Sequence, residues 1–523
     1  MRKNTRLFRY LLVGFVAIFG YLAIHLIKLD ALPVFADEAI YIRWAQLILD
    51  DARQYWIFPM NDGKTPLFIW TMVPLLKLVE NQLLAGRYIS ILVGLFQAIV
   101  LGLISWRMTK DKFSAGWVML LTSTLPFWFF YQRMALMDSL LTFWLSVAVL
   151  LVLVMSEKAE LFQKKLQTSL PYIASLGLVL FLAIWTKLPA VLFLLALIPT
   201  SLIIKQKQSR HYLTILGLTL TGVSLSLVFF VATSVLPAFS QLFSRGGDFL
   251  YSIPDFLKGG WKVLFFNSGL TTQSLVYYLS PLVVLSPIIG LFFSKHRRKQ
   301  LLLLLAASAF MLPMILLAKV YYPRYLLPVS IFFTLSSGLI VDAALTKITV
   351  VNLKKRAVIA LGLALYCANI LAFAGQWNVQ AIIDSNAVPM VAVDRMQYLE
   401  EWSSGHGIAE TVDLLQSIDK SQRIAVATEG YFGTLPDALL LYLHNQDVSN
   451  LSIDGIGQPV WDIPQWFIEK TISADERWLV VNSHRMRMTL PEDQLIAEFC
   501  RPNSAPCLQI WNITEYSKTL ENK

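Results

Sequence analysis

Residues 37–66 read DEAIYIRWAQLILDDARQYWIFPMNDGKTP and form a polar interruption in a chain dominated by long apolar runs. An adjacent acid pair, Asp37 and Glu38, opens this stretch, and the sequence KTP at residues 64–66 closes it. Carboxylates beside membrane helices are costly to hold near lipid and are usually functional. The alternative is a solvated loop that carries ordinary charges. We therefore treat Asp37 and Glu38 as the first candidates for a functional site.

The composition indicates a membrane protein. Of the 523 residues, 56% are hydrophobic and only 15% are charged. Apolar runs of about 20 residues recur, which is the length a helix needs to cross a bilayer. The net charge of +10 could indicate nucleic-acid binding, but the surplus Lys and Arg lie in short loops, where they set membrane topology. We therefore expect the lipid bilayer as a partner and no nucleic acid.

We predict about 11 transmembrane helices. The first reaches about residue 27, and because its apolar run is too long for a typical signal peptide we expect a retained anchor rather than cleavage near Ala36. The others are predicted at residues 87–106, 113–130, 139–155, 171–185, 188–204, 212–236, 274–293, 301–317, 325–345 and 358–373. Two shorter apolar segments, at residues 39–49 and 67–79, are expected to lie at the membrane interface.

The distribution of charge predicts the orientation. If the N-terminus is cytoplasmic and the spans alternate, every inner loop is basic, as the positive-inside rule requires. The outer face then receives single charges at the mouths of helices: Asp37, Glu38, Lys64, Arg133, Asp138, Lys187, Lys319 and Arg324. We therefore predict an extracytoplasmic site that combines carboxylates with cations. The longer outer loop at residues 237–272 fits a gate over this site and a plain amphipathic connection equally well.

The composition becomes polar near the C-terminus. We divide the chain into a transmembrane module at residues 1–376, with its first outer loop at 29–84, and an extracytoplasmic domain at 377–523. In this domain we predict helices at residues 408–418, 435–443 and 466–472 and strands at 423–427, 478–481 and 508–513. Their alternation predicts an α/β domain. The spacing of Cys500 and Cys507, together with the outside compartment, favours a disulfide over two unpaired thiols.

The candidate residues indicate one kind of chemistry. Asp37 and Glu38 offer a general base, and the cations of the same face can bind a phosphate. This combination suits a substrate with a phosphate leaving group and a hydroxyl nucleophile. The sequence contains no Gly-rich phosphate loop and no His/Cys metal spacing. A nucleotide-driven reaction is therefore not expected.

Five segments, in order, carry a resemblance to a known family: FADEAIY, DGKTPLFIW, RMALMDSLLTFW, TKLP and YYPRYLLP. Over residues 1–376 the chain resembles the GT-C transferases that use polyprenyl-phosphate sugars. The closest group is glycosyltransferase family 39, with its protein O-mannosyltransferases, and the lipid A aminoarabinose transferases are more distant. The resemblance implies that Asp37 is the catalytic base beside Glu38 and that Asp138 supports the site. It also implies that Lys64 and Arg324 hold the lipid phosphate.

The resemblance implies a membrane glycosyltransferase of the cell envelope. It would move a hexose, expected to be mannose, from a polyprenyl monophosphate to a hydroxyl of a protein or glycolipid, with inversion. Many relatives have Glu-Lys-Pro-Pro where this chain has Gly63-Lys64-Thr65-Pro66, so we expect no obligatory metal there, although a divalent metal stays open. The alternative is a transporter or flippase of lipid-linked sugar. That class usually has inverted repeats and broken midplane helices, and the sequence indicates neither.

Overall fold

The computed structural model describes the backbone of residues 2–521 and the side chains of residues 14–292 and 294–520. The chain forms two compact units. The helical unit contains Met1–Ile27, Trp56–Phe68 and Ile89–Ile383. The α/β unit contains Lys28–Tyr55, Ile69–Tyr88 and Asp384–Lys523. The stretch that carries Asp37 therefore belongs to the same unit as the C-terminal residues.

The helical unit is built from helices of very unequal length. Its α-helices within the described residues are Arg2–Leu26, Lys112–Thr124, Pro126–Tyr131, Met137–Glu157, Ala159–Lys164, Leu170–Thr186, Ala190–Phe193, Leu197–Ser201, Ser209–Ala232, Gly246–Phe249, Ile253–Leu257, Val263–Leu279, Pro281–Phe293, Arg297–Leu317, Leu327–Val350 and Leu353–Ile383. Two further helices, Leu67–Leu76 and Gln82–Thr109, contribute residues to both units. Short 3-10 turns fill several connections, among them Phe58–Asp62 and Pro323–Leu326.

Within the described residues, seven helices are long and apolar enough to cross a membrane, or up to eight if one bent pair forms a single span. The chain is therefore a multi-pass integral membrane protein. The count of about 11 stays a prediction, because helix length and composition alone set these numbers. The first predicted span is one reason why fewer than 11 spanning helices are counted. Of this span, only Gly14–Leu26 is counted, and it is classed as a shorter apolar helix.

Proline explains where predicted spans are interrupted. The predicted span at residues 274–293 is not one straight helix, because Val263–Leu279 and Pro281–Phe293 meet at a bend of 100°. Ser280, at the bend, has a φ of 73°. Proline lacks the N–H that continues a helix and disfavours the α conformation of the residue before it. The predicted span at 113–130 is divided in the same way before Pro126.

The Pro323–Val350 span is the centre of the helical unit. Its apolar window is 94% buried, whereas that of Leu353–Ile383 is only 11% buried and therefore suits a lipid-facing helix. Polar contacts join the central helix to its neighbours: Trp117 donates to the Ser337 hydroxyl at 2.8 Å, and Ser114 donates to the Gly338 carbonyl at 2.8 Å. Small residues and interhelical hydrogen bonds stabilise such packing in lipid.

The α/β unit contains a five-stranded mixed sheet. The strands are β1 (Ile424–Thr428), β2 (Leu451–Gly455), β3 (Glu476–Asn482), β4 (Leu495–Phe499) and β5 (Leu508–Asn512), in the order β2-β1-β3-β5-β4. β1 pairs in parallel with β2 and β3, and β5 pairs antiparallel with β3 and β4. β1 is buried throughout, as its continuous apolar sequence requires of an inner parallel strand.

Helices flank this sheet and extend the unit toward the N-terminus. The α-helices are Ala36–Asp50, Ala52–Tyr55, Ala392–Arg395, Ile408–Gln416, Leu439–Leu443, Gln465–Lys470 and Thr514–Glu521, with π-helical turns at Met396–Glu400 and Thr434–Ala438. A core centred on Phe467, Leu479 and Ile513 fills one face of the sheet. The prediction of an α/β domain is confirmed, and its three predicted strands correspond to β1, β3 and β5. Strands β2 and β4, in which no residue is fully buried, are not among the predicted strands.

Candidate active site

An ion pair of the helical unit brings together two of the candidate residues. Asp138 lies in the first turn of the Met137–Glu157 helix, and Lys187 follows the last residue of the Leu170–Thr186 helix. The Lys187 Nζ atom donates to Asp138 Oδ1 at 2.7 Å. The two side chains are only 18% and 4% exposed. Burying two charges costs free energy of desolvation. The presence of this buried ion pair therefore calls for a functional explanation.

Lys187 also belongs to a row of cationic and aromatic groups. Its Nζ atom lies 4.4 Å from the centroid of the Tyr325 ring. On the same ring, the Arg324 guanidinium carbon lies 5.6 Å from the centroid, and it lies 5.3 Å from the Tyr322 ring. Cations at such distances are attracted by the negative ring face. Lys187 and Arg324 therefore both contact the Tyr325 ring. We call these three residues, together with Asp138, the cationic cluster.

Local sequence determines the position of Arg324. Pro323 begins a 3-10 turn, Pro323–Leu326, which leads directly into the Leu327–Val350 helix. Proline suits a first turn because its fixed φ matches a helix and its missing N–H would have no partner there. Arg324 is 6% exposed. A buried guanidinium beside a helix N-terminus, where free N–H groups and the dipole favour an anion, is a suitable phosphate seat.

Lys64 and Lys319 contact one short segment of the long outer loop. The Lys64 Nζ atom lies 5.5 Å from the centroid of Phe249. Lys319 donates through its side chain to the Gly247 carbonyl at 2.7 Å and through its backbone N–H to the Phe249 carbonyl at 2.8 Å. The structure therefore assigns both lysines to the surroundings of Phe249. A second contact near Lys64 joins Arg245 to Asp62 at 2.8 Å.

Arg133 makes contacts of a different kind. It donates to the carbonyl of Ile27, at the end of the first helical segment, at 2.7 Å. Its guanidinium carbon lies 4.6 Å from the Phe129 ring centroid. These contacts tie two parts of the helical unit together, so Arg133 has a structural role whatever else it binds.

In the α/β unit, Glu38 is an anchor. Its carboxylate accepts from Arg87 Nε at 2.9 Å and from Arg87 Nη2 at 2.8 Å, the two-pronged geometry that suits a guanidinium. It also accepts from the Phe35 N–H at 3.1 Å. Arg87 in turn donates to the carbonyls of Leu29, Leu32 and Pro33. One buried pair therefore fastens the chain that leads to the Ala36–Asp50 helix.

Asp37 differs from its neighbour in burial. Glu38 is fully buried, whereas Asp37 is half-buried and lies in the first turn of the Ala36–Asp50 helix. Helix N-termini stabilise a carboxylate, since the first N–H groups and the dipole point toward it. Asp37 therefore combines partial accessibility with a position at a helix N-terminus.

No protein-family model matches the sequence, and no curated protein matches it. Solved structures do match. ArnT from Cupriavidus metallidurans in the apo state gives a TM-score of 0.54 and 13% identity over 99% of each chain. The same protein bound to undecaprenyl phosphate gives a TM-score of 0.53 and 14% identity over 96% of this chain and 97% of that chain.

The apo oligosaccharyltransferase of Archaeoglobus fulgidus gives a TM-score of 0.54 and 11% identity over 90% of this chain and 69% of that chain. ArnT is a GT-C transferase. This chain has the GT-C fold. At such low identity the likeness shows the fold alone, and the fold class predicted from the ordered motifs is confirmed.

On this GT-C fold, Arg87 and Tyr325 each contact a candidate residue of their own unit, although the sequence does not indicate either of them. Arg87 is only the first residue of a predicted span, although a charge at the start of an apolar run needs a partner. Tyr325 is likewise only the first residue of a predicted span, although the YYPRY sequence places aromatic rings next to Arg324. Both signals were present, but neither identified the partner, which only the fold supplies.

The structure also bears on the cysteines and on metal binding. Cys500 and Cys507 are joined by a disulfide. Within the described residues, one group of His, Cys, Asp or Glu side chains is close enough to hold a metal ion, and it consists of Glu498 with these two cysteines. Sulfur atoms bonded to each other are not the thiolates that bind metals, so this group does not fit a metal site.

Proposed function

We propose that this protein is a membrane glycosyltransferase that takes a sugar from a polyprenyl monophosphate carrier. The observation that carries the proposal is the cationic cluster in a chain with the GT-C fold. ArnT, which has this fold along its whole length, has been seen bound to undecaprenyl phosphate. A lipid phosphate next to the membrane needs cations that are already ordered, and Lys187 and Arg324 meet that need.

In this proposal, Arg324 binds the phosphate of the carrier through two guanidinium N–H groups. Lys187 adds charge, and Asp138 acts through Lys187 by fixing the direction of its ammonium group. Lys64 and Lys319 contribute further charge from the outer-loop side. Arg133 is a weaker candidate, because its guanidinium already donates to the Ile27 carbonyl.

Asp37 acts as the general base. It takes the proton of an acceptor hydroxyl as the hydroxyl oxygen bonds to the anomeric carbon of the sugar. The bond between that carbon and the phosphate oxygen breaks at the same time, and the electron pair leaves with polyprenyl phosphate. Attack opposite to the leaving group inverts the anomeric carbon. Glu38 is less suited to this role, because both of its oxygens are paired with Arg87.

The finer features of the proposal rest on the sequence. We propose a hexose, with mannose first, as the sugar, and a hydroxyl of a protein or glycolipid as the acceptor. We also propose a cytoplasmic N-terminus, because the inner loops are basic. The α/β unit and the reaction would then be extracytoplasmic, with the cell envelope as the site of glycosylation.

The test is sugar transfer by the purified chain in detergent. Several polyprenyl-phosphate sugars are offered, mannose among them, and the release of polyprenyl phosphate is followed. Asp37→Asn should lower the rate by about 10²–10⁴-fold, since loss of a general base typically costs this much. Asp51→Asn, an exposed carboxylate just after the same helix, is the matched control and should retain the rate.

The outcomes separate the candidate functions. Release by wild type and loss in Asp37→Asn support a transferase that uses Asp37. Full activity of a well-folded Asp37→Asn variant rules out Asp37 as the base. If wild type releases no polyprenyl phosphate from any donor but moves lipid-linked sugar across vesicles, the transporter alternative holds instead.

A further inference from the structure

The chain that enters the Asp37 helix pairs with a C-terminal segment. The Ala36 N–H donates to the Ser403 carbonyl at 2.9 Å, and the Gly405 N–H donates to the Val34 carbonyl at 2.8 Å. Phe35 and Ser404 form the antiparallel bridge between these two bonds. Ala36 is the first residue of the helix, so its N–H has no partner within the helix. We call residues 403–405 the clamp segment. The pairing of the clamp segment with residues 34–36 therefore ends one residue before Asp37.

Glycine is required for this close approach. A Cβ atom on Gly405 would lie 2.4 Å from Val34 Cγ1 and 2.5 Å from the Val34 carbonyl oxygen. Real Cβ atoms do not come this near to a backbone oxygen, so any other residue would push the two segments apart. Because Val34 lies only three residues before Asp37, that displacement would reach the start of its helix.

Arg501 supports the clamp segment from the disulfide side. Its guanidinium donates to the Ser404 carbonyl at 3.0 Å and to the Pro506 carbonyl at 2.6 Å. Pro506 lies within the loop that the Cys500–Cys507 disulfide closes. Arg501 is 4% exposed, and a buried hydrogen bond from a charged donor is worth more than a neutral one. The disulfide loop thus holds the clamp segment through one arginine.

A second network holds Trp402, the residue that directly precedes the clamp segment. The Arg485 guanidinium carbon lies 4.1 Å from the Trp402 ring centroid. Arg485 also donates to Glu429 at 3.3 Å, and the buried Glu429 accepts two further bonds from Asn482. Glu429 follows β1 and Asn482 ends β3, so the clamp segment is attached to the carboxyl ends of the central parallel strands.

The far part of the same helix is fixed to the same unit. Gln46 donates to the Leu441 carbonyl at 2.9 Å, and the His444 ring lies 2.9 Å from the Asp50 carboxylate. Contacts at both ends determine the position of the helix along its axis and its rotation about that axis. The direction of a side chain in the first turn follows from these two quantities.

We infer that Gly405 and Arg501 are positioning residues that set the place of Asp37 through the clamp segment. This inference rests on the proposed function, in which Asp37 is the general base. A general base works only within hydrogen-bond reach of the proton it removes, and a displacement of about 1 Å can cost up to about 10²-fold in rate. The C-terminal residues thereby contribute to catalysis without contacting substrate.

The experiment compares the full chain carrying Gly405→Ala with wild type. We expect kcat to fall by about 10–10²-fold while the KM for the polyprenyl-phosphate donor stays unchanged, since the proposed phosphate ligands lie in the helical unit. Hydrogen exchange of residues 34–40 should become faster. Arg501→Met should act in the same direction, and Arg501→Lys, which keeps the charge and can still donate to one of the two carbonyls, should recover part of kcat.

Phe467→Leu is the matched control. It weakens the core of the same unit at a fully buried residue without touching the clamp segment, so it should lower stability but keep kcat and the exchange of residues 34–40. If Gly405→Ala and Arg501→Met retain the kcat of this control, or raise the donor KM instead, the inference is wrong. If wild type itself transfers no sugar from any donor, the proposed function fails instead, and the two failures are thereby distinguished.

Discussion

Replacing Glu38 by glutamine tests whether this residue anchors the chain or takes part in the reaction. Glu38 is 0% exposed and its partner Arg87 is 1% exposed, so the pair is shielded from water. Glu38→Gln keeps the size and one acceptor oxygen but removes the negative charge. Arg87 then stays charged and buried, with the carbonyls of Leu29, Leu32 and Pro33 and a neutral amide as its hydrogen-bond partners.

The loss of stability expected for Glu38→Gln follows from the burial of the Glu38–Arg87 ion pair. Breaking a buried ion pair by removing one partner costs about 3–5 kcal/mol, because the remaining charge is uncompensated. Three carbonyls still accept from Arg87, at 2.6, 3.0 and 3.1 Å, so we expect the lower end, about 3 kcal/mol. For a unit of this size, that corresponds to a Tm lower by about 6–12 °C.

The assay is thermal unfolding of the purified protein in detergent, followed by tryptophan fluorescence. Glu80→Gln, an exposed glutamate of the same unit, is the control and should leave Tm unchanged. Adding Arg87→Met to Glu38→Gln should recover part of the loss, since the two residues form one interaction. A Tm equal to wild type combined with a large loss of kcat would refute the anchoring role and make Glu38 part of the chemistry.

The remaining predictions concern the phosphate seat, a buried acid and the orientation. Arg324→Lys should clearly weaken donor-lipid binding, because lysine is a point charge and not a fork; equal donor affinity would leave Lys64 as the better phosphate ligand. Burial raises the pKa of Asp437 to about 6, so this group binds a proton more readily when folded, and its contribution to stability falls as pH rises from about 4 to about 6. Asp437→Asn should remove that part of the pH dependence of Tm, by up to about 3 kcal/mol; an unchanged profile would contradict the raised pKa. In a variant with Cys367→Ala, cysteine introduced at the exposed Ser473 should react with an impermeant thiol reagent in intact cells, and cysteine at the exposed Ser209 should not; the reverse pattern would overturn the orientation.

Much of the fold was determined by local sequence. Long apolar runs predict membrane helices because each helix satisfies its own backbone in lipid. The buried strands β1, β3 and β5 were recognised as short apolar segments between helices. The same local reasoning did not show the bend before Pro281, since hydropathy does not register a missing N–H.

The residue types of the candidate site were also readable from the sequence, but their partners were not. Glu38 and Asp138 were both selected as acids at helix mouths. Each meets a cation 49 positions later in the chain, Arg87 in one case and Lys187 in the other. The first pair is an anchor and the second joins the cationic cluster, a difference that no spacing rule distinguishes.

The link between Asp37 and the C-terminal residues was decided entirely by the tertiary structure. Its backbone pairing joins Val34 to Gly405, two segments that are far apart in the sequence and belong to different predicted domains. Backbone pairing depends on the proximity of main-chain groups that every residue carries, so it leaves almost no trace in residue type. The sequence could show that Asp37 is an unusual carboxylate beside membrane helices, and only folding determines which segment holds it in place.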